Sequence, residues 1–420
     1  MKEWPWNIGF VSTRLSGTDG VSLESAKWED VLTKLGYQCF YFAGESDRPE
    51  EVTYLIDEAR FRHPDVQKLN KDLFDDRNRS LETSEQVSRL KGHLKQHLHR
   101  FVDEFDIDLI IVENALSIPM NVPLGLAITE FIAETNMPTI AHHHDFTWER
   151  TRYAISAADD YLRAAFPPTL SSIRHVVINS FAGRELALRT GASSVLIPNV
   201  MDFSQPAPQL DTYAKQFRSA LEADRGTYLL FQPTRIVPRK RIEIAIELTR
   251  RLDRDAVLVI SHGSGDEGTA YQKYLDQYAK LMDVRVIYAS DIINHVRGLT
   301  GDGRRIFALA DAYHQIDLAT YPSAIEGFGN AFLEVMYYRR PIVINNYEIF
   351  RTDIQPKGFR VIGFDGFITD RTIEQTLEVL DNPGLVQEMT DHNFTIARQC
   401  YSFHTLERNL VALMSAYTSH

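Results

Sequence analysis

The stretch EGFGNAFLE carries two glutamates, Glu326 and Glu334, and the first is followed at once by Gly327, Phe328 and Gly329. If 326–329 is a loop and Asn330 opens a helix, Glu334 lies about 12 Å further along, at ~1.5 Å of rise per residue. Paired glycosidase carboxylates lie roughly 5–10 Å apart. Two acids at one bond therefore fit poorly. One acid at a sugar and one at a ribose, on a single extended ligand, fit better. The glycines permit close approach of backbone to ligand, and the amides at the start of the helix, from Asn330 onward, would face an anion.

A second stretch, TRIVPRKRIEIAIEL (234–248), gathers Arg235, Arg239, Lys240 and Arg241 just before an amphipathic helix. Cations together with helix N-terminal amides make an anion site, and a diphosphate suits it; a solvated basic surface is the plainer reading. GSGDEG (263–268), with Gly263 and Gly265, is formally a G-x-G-x-x-G, and Asp291 lies roughly where a ribose-binding acid would fall. It follows the second strand of its domain, whereas the nicotinamide fingerprint belongs to the first βα turn. A nucleotide-facing glycine loop is the expectation, and an NAD(P)-dependent oxidoreductase is kept as an alternative. In AHHHDFTWER (141–150) three histidines are adjacent. Strand alternation sends neighbours to opposite faces, and helical zinc sites space their histidines, so no metal is expected. His144, flanked by His143 and Asp145, is the cleft-facing candidate. Asp106 and Asp108 precede a strand, at the wrong end for a metal-dependent sugar transferase.

The elements that must position these residues alternate along the chain. NIGFVS (7–12), QCFYFA (38–43), DLIIVE (108–113), PTIAHH (138–143) and HVVINS (175–180) read as buried strands; 22–36 and 87–105 read as helices, with apolar residues at spacings of three and four. MDFSQPAPQLDTY (201–213) reads as a linker. A second series follows: TYLLFQ (227–232), AVLVIS (256–261), VRVIYA (284–289), DLATYP (317–322) and PIVINN (341–346). The fold class is α/β: two Rossmann-like halves with parallel sheets, whose strand C-terminal ends are expected at a shared cleft. Residues 61–81 are polar and read as a decorated connection.

Composition narrows the partners. The chain has 420 residues, 44% of them apolar, a formal net charge of -12 and two cysteines, Cys39 and Cys400. That length suggests two domains. Two cysteines support neither a disulfide framework nor a cysteine zinc site. The acidic balance argues against nucleic acid and against stable membrane association. No run approaches a membrane span and the start lacks the features of a secretion signal, so the expected compartment is the cytoplasm. A homodimer is compatible with all of this.

Taken together, these motifs resemble the retaining GT-B glycosyltransferases of family 4. EGFGNAFLE matches the E-x7-E motif, RIVPRK the R-x4-K pair, IPNVMD (197–202) the interdomain I-P-N-G-x-D, IAHHHD the t-v-H-D, and SGTDGV (16–21) the first glycine loop with Gly17. YSFHTLERNLVALM (401–414) is similar to the terminal helix that crosses back to the first domain. The resemblance implies a GT-B fold, with an acceptor-binding domain over 1–203 completed by 400–420 and a nucleotide-sugar-binding domain over 214–399. It implies that Arg235 and Lys240 neutralise the diphosphate, Glu334 holds the ribose, Glu326 and the 327–329 amides hold the sugar, and His144 sits near the transferred sugar. No cofactor or metal is implied beyond the nucleotide sugar itself. For the acceptor, Arg14, Arg150 and Arg152 offer forks for a carboxylate or phosphate, and Asn114, Ser117 and Asn121 offer hydroxyl recognition, with His143 and Asp145 beside them. A small acidic acceptor such as a glycerate or sugar acid is expected, with a lipid or polysaccharide acceptor, a nucleotide-sugar epimerase or a non-catalytic binding protein as alternatives.

Overall fold

Short runs of β-branched and aromatic residues, buried on both faces, can only be covered by helices on both sides of a parallel sheet. The computed structural model describes residues 6–17, 19–224, 226–264 and 268–418. The chain divides into two compact units, Met1–Val200 with Phe403–His420, and Met201–Ser402.

The first unit is built on β1 (Asn7–Val11), β2 (Gln38–Ala43), β3 (Thr53–Leu55), β4 (Leu109–Glu113), β5 (Thr139–His143), β6 (Ile173–Val177) and β7 (Ser194–Leu196). They are ordered β3-β2-β1-β4-β5-β6-β7, and every pairing is parallel. Sheet order reverses between β1 and β4, so the loops after those strands flank a topological switch point. The covering helices are α1 (Gly20–Lys34), α2 (Pro64–Phe74), α3 (Leu81–Phe105), α4 (Val122–Thr135), α5 (Asp159–Ala165) and α6 (Ser180–Thr190). Asp19 caps α1 by accepting from the Val21 and Ser22 amides.

The reading of 61–81 as a connection is corrected. Pro64 opens α2 just after His63, whose ring accepts from the Asp65 amide, and Val66, Leu69, Leu73 and Phe74 are buried in the core. Their spacing of three and four was masked by the charged residues between them. Likewise α3 begins six residues earlier than 87, where the Ser80 side chain accepts from the Thr83 amide.

The second unit has α7 (Phe217–Ala220), β8 (Tyr228–Gln232), α8 (Ile242–Arg251), β9 (Ala256–Ile260), α9 (Ala270–Met282) and β10 (Arg285–Tyr288). A small sheet follows, of β11 (Ile293–Asn294), β12 (Gly298–Leu299) and β13 (Arg305–Ala308). Then come α10 (Leu309–Gln315), β14 (Leu318–Tyr321), α11 (Asn330–Tyr337), β15 (Ile342–Asn345), β16 (Ile362–Phe364), α12 (Asp370–Leu380) and α13 (Pro383–Tyr401). The main sheet runs β10-β9-β8-β14-β15-β16, again parallel. Its order reverses between β8 and β14. The last helix, α14 (Phe403–Thr418), returns to the first unit. There Leu406, Leu410, Leu413 and Met414 share a core with Ile8, Phe10 and Trp28. Among the described residues no helix is long and apolar enough to cross a membrane.

Candidate active site

In the second unit the two loops at the switch point are knitted together. The Ala324 amide donates to the Arg239 carbonyl at 2.9 Å, and Arg239 Nη1 donates to the Ile325 carbonyl at 3.2 Å. Glu326 then receives Arg239 Nη1 at 3.1 Å and the Lys240 ammonium at close range. The side chains of Lys240 and Glu326 are 9% and 7% exposed, respectively, so this is a largely dehydrated ion pair. Burial opposes the charge on Glu326, but Lys240 and Arg239 together hold its pKa below the ordinary value. Burial lowers the Lys240 pKa against the pull of Glu326. Arg235, in the same loop, is exposed and has no carboxylate partner among the described residues. Three cations thus stand against one carboxylate, an excess of two positive charges.

Glu334 lies about one turn into α11 and accepts from the Tyr313 hydroxyl at 2.8 Å. Tyr313 is fully buried on α10, so the carboxylate is aimed from beneath. Sequence reasoning missed Tyr313; no motif marks it, and its ring is placed by stacking on Tyr338 and by an edge contact with Phe231 of β8. At the head of α11, Gly329 has φ of +112°. A Cβ there would come within 2.7 Å of the Tyr347 hydroxyl and 3.1 Å of the Tyr321 hydroxyl. Tyr347 in turn donates to the Phe328 carbonyl at 2.7 Å. Two buried tyrosines therefore set the loop that leads into the helix, and that helix start has no side-chain cap.

Some expectations do not survive in this unit. The α8 N-terminus does not add amides to the basic loop: the Ile242 amide donates to the Tyr271 hydroxyl at 2.8 Å, and Arg241 turns away to the Gly366 carbonyl. Asp291 is half-exposed and ion-paired at 2.7 Å with Arg304, which lies between β12 and β13 and which the sequence did not suggest as a partner. Gly263 acts through its carbonyl, which accepts from the Ile236 amide at 3.2 Å and so supports the basic loop. Gly265 lies outside the described residues.

In the first unit, Glu113 at the end of β4 is in register with His142 on β5. Alternation separates neighbours but returns His142 and His144 to one face. Glu113 contacts His142 Nδ1 at 3.0 Å and His144 Nε2 at 3.1 Å. Burial disfavours the Glu113 charge, yet His142 and His144 bring its pKa down to about 2. His143 points the other way. Its Nδ1 pairs with Ser117 Oγ at 2.5 Å and its Nε2 with His175 Nδ1 at 2.8 Å. Both His143 and Ser117 are fully buried, so these two expected acceptor contacts are internal. Asn121 is internal too: it caps α4 through the Leu124 amide and donates to the Glu58 and Ala59 carbonyls.

Asn114 is an organiser. With φ of +59°, it accepts from the His144 amide at 3.0 Å and donates to Asp145 Oδ1 at 3.0 Å. Asp145 also receives Arg150 Nε at 2.6 Å. Arg14 pairs with Asp19 at 2.9 Å and lies over the Phe61 ring, so the structure gives Arg14 and Arg150 separate carboxylate partners. Arg152 is exposed beside Tyr153 and has no carboxylate partner among the described residues. The Gly17 amide, expected to face the donor, donates to Asp47 at 2.9 Å.

Among the described residues, Glu113, His142 and His144 form the one group whose donor atoms converge as metal ligands do, within 4.8 Å of one another. The contacts to Glu113 are of hydrogen-bond length, and its oxygens already face imidazole nitrogens. Both Glu113 oxygens are engaged, while His142 Nε2 is buried without a hydrogen-bond partner among the described residues.

Two doubly wound units, with cations, a carboxylate and a helix start gathered at a switch point, define a GT-B glycosyltransferase. The chain belongs to the glycosyl transferases group 1, whose family model matches residues 214–390. It is 32% identical to the mannosylglucosylglycerate synthase of Thermotoga maritima, over 95% of this chain and 97% of that one. It is likewise 32% identical to the mannosylglucosylglycerate synthase of Petrotoga mobilis, over 84% and 86%. In fold it resembles the crystal structure of a glycosyltransferase from Rickettsia africae, with a TM-score of 0.69 at 11% identity and 97% coverage of each chain.

Proposed function

We propose that the chain is a retaining, metal-independent hexosyltransferase. It moves a mannosyl group from a nucleoside diphosphate sugar to a small carboxylate acceptor of the glucosylglycerate type. The observation that carries the donor half is the Arg239–Lys240–Glu326 cluster, with Arg235 beside it and without a carboxylate partner among the described residues. An excess of two positive charges in a half-dry loop suits a diphosphate. As the sugar–phosphate bond breaks, negative charge grows on the leaving diphosphate, and Arg235 and Lys240 stabilise it without reorganising. Glu326, held by the same lysine, accepts from sugar hydroxyls; Glu334, aimed by Tyr313, accepts from the ribose.

The acceptor half draws support from the names of the two relatives. Arg152 is the guanidinium best suited to a carboxylate, since Arg14 and Arg150 already have partners. His144 orients a substrate hydroxyl. The acceptor oxygen attacks the face that the diphosphate leaves, and its proton passes to the departing phosphate oxygen. The test is a matrix of nucleoside diphosphate sugars against glycerate, glucosylglycerate, neutral disaccharides and diacylglycerol. Fastest turnover with a mannosyl donor and glucosylglycerate, undiminished by EDTA, is expected. Preference for a neutral sugar or a lipid contradicts the reading, as does an EDTA loss that metal restores.

A further inference from the structure

Glu113 belongs to none of the motifs described above, yet it is fully buried beside His144. A buried carboxylate is costly unless donors satisfy it. Here the donors are two imidazoles: His142, fixed by stacking on Trp28 at 4.2 Å between ring centres, and His144 through Nε2 at 3.1 Å. The next residue, Asn114, takes the His144 backbone amide. Residues 113 and 114 thus hold His144 at both ring and backbone. With Nε2 engaged, Nδ1 is the ring nitrogen that remains, and it has no partner among the described residues.

We propose that Glu113 is a positioning residue for the transfer reaction. It fixes the His144 ring through Nε2–H and, by its charge, favours the imidazolium, so that Nδ1–H gives a hydrogen bond to a substrate oxygen. This rests on the role given to His144 above. The groups facing His144 agree with it: Glu113 from β4, His142 from β5, Asp145 just after β5, and Glu24 from α1, itself paired with Lys27. Burial works against a charged His144, but Glu113 foremost, then Glu24 and Asp145, raise its pKa above the ordinary value. Burial lowers that of His142. Carboxylates from β4, from α1 and from the loop after β5 thus favour the protonated ring, in which Nδ1 is a donor.

Glu113→Gln keeps the shape and removes the charge. It is expected to lower kcat about 10²-fold with donor KM nearly unchanged, the scale of one misplaced donor. The alkaline limb of the kcat profile should move to lower pH, while Glu113→Asp should leave that limb in place. The double variant Glu113→Gln/His144→Gln should be no slower than His144→Gln, since the two act as one unit. Nitrogen-15 NMR of the histidine rings in the free protein gives a readout independent of turnover: the His144 pKa should fall in Glu113→Gln. An unchanged His144 pKa overturns the proposal, as do fully additive losses in the double variant or a stoichiometric divalent cation held by wild type and released by Glu113→Gln. Loss of activity in His144→Gln beside wild-type behaviour in Glu113→Gln overturns this proposal alone. Wild-type activity in His144→Gln overturns the role of His144 as well.

Discussion

Lys240 and Glu326 share one buried contact, and in the proposed reaction both meet the donor. Removing Arg235 or Lys240 from the basic loop should therefore cut kcat/KM by about 10²–10³-fold, the scale of one lost charge-stabilising group. Arg235→Ala should do so with no change in stability, because Arg235 is exposed. Lys240→Ala should also lower the melting temperature, since it leaves the buried Glu326 with Arg239 as its one paired cation among the described residues; steady-state kinetics and thermal unfolding of the two variants separate these effects. At the other end of the ligand, Glu334→Gln should act through donor KM with kcat preserved, the signature of uniform binding. Tyr313→Phe should follow it more weakly, raising donor KM about tenfold for one hydrogen bond to a charged group. Loss of kcat at saturating donor in Glu334→Gln would contradict the division of labour between the two acids. Of these residues, Glu326, Glu334 and the cations could be found in the sequence because they sit in a spaced motif after strands. Tyr313 and Glu113 could not, because their roles come from neighbours 21 and 31 residues away in the chain.

At the scale of elements, strands of five or six residues were legible because their apolar runs are nearly continuous. β3 and β16 span three residues each, and the small sheet has strands of two to four, too short to show a period. Alternation around 141–144 was applied to adjacent residues, and the pair two apart was overlooked. The entry to α11 depends on Gly329. Gly329→Ala puts a Cβ against the two tyrosine hydroxyls in a backbone conformation that side chains avoid, and should cost roughly 1–3 kcal/mol while lowering kcat; a wild-type melting temperature would show the loop to be more yielding. On β6 the buried His175 is pushed by desolvation from its ordinary value near 6.5 to about 4. Below pH 6.5 the unfolded chain binds a proton that the folded chain does not. This stability is complete above pH 6.5 and lost as pH falls toward 4, amounting to roughly 3 kcal/mol at ~1.4 kcal/mol per pKa unit. His175→Gln, which keeps a hydrogen-bonding group for His143, should lose less melting temperature than wild type between pH 7 and pH 5. Equal losses would contradict the assignment.

At the scale of the whole molecule, each unit was legible as a doubly wound sheet, and its sheet order explains where its chemistry gathers. The basic loop and the EGFG loop follow β8 and β14, the two strands between which order reverses in the second unit. Asn114 and Arg14 follow β4 and β1, the equivalent pair in the first. A chain of net charge -12 repels anions at long range, so a diphosphate donor must be held by the local excess of cations in that loop, and donor KM should rise with ionic strength as those contacts are screened. The proposed reaction is transfer of a mannosyl group, with its anomeric configuration retained, to a glucosylglycerate-type acceptor. The most direct measurement is proton NMR of the first-formed product from a nucleoside diphosphate mannose and glucosylglycerate, followed from the start of turnover. A single new mannosyl anomeric signal of the donor's configuration, attached to the acceptor, is the expected result. The opposite anomer, or hydrolysed mannose with the acceptor untouched, would contradict it.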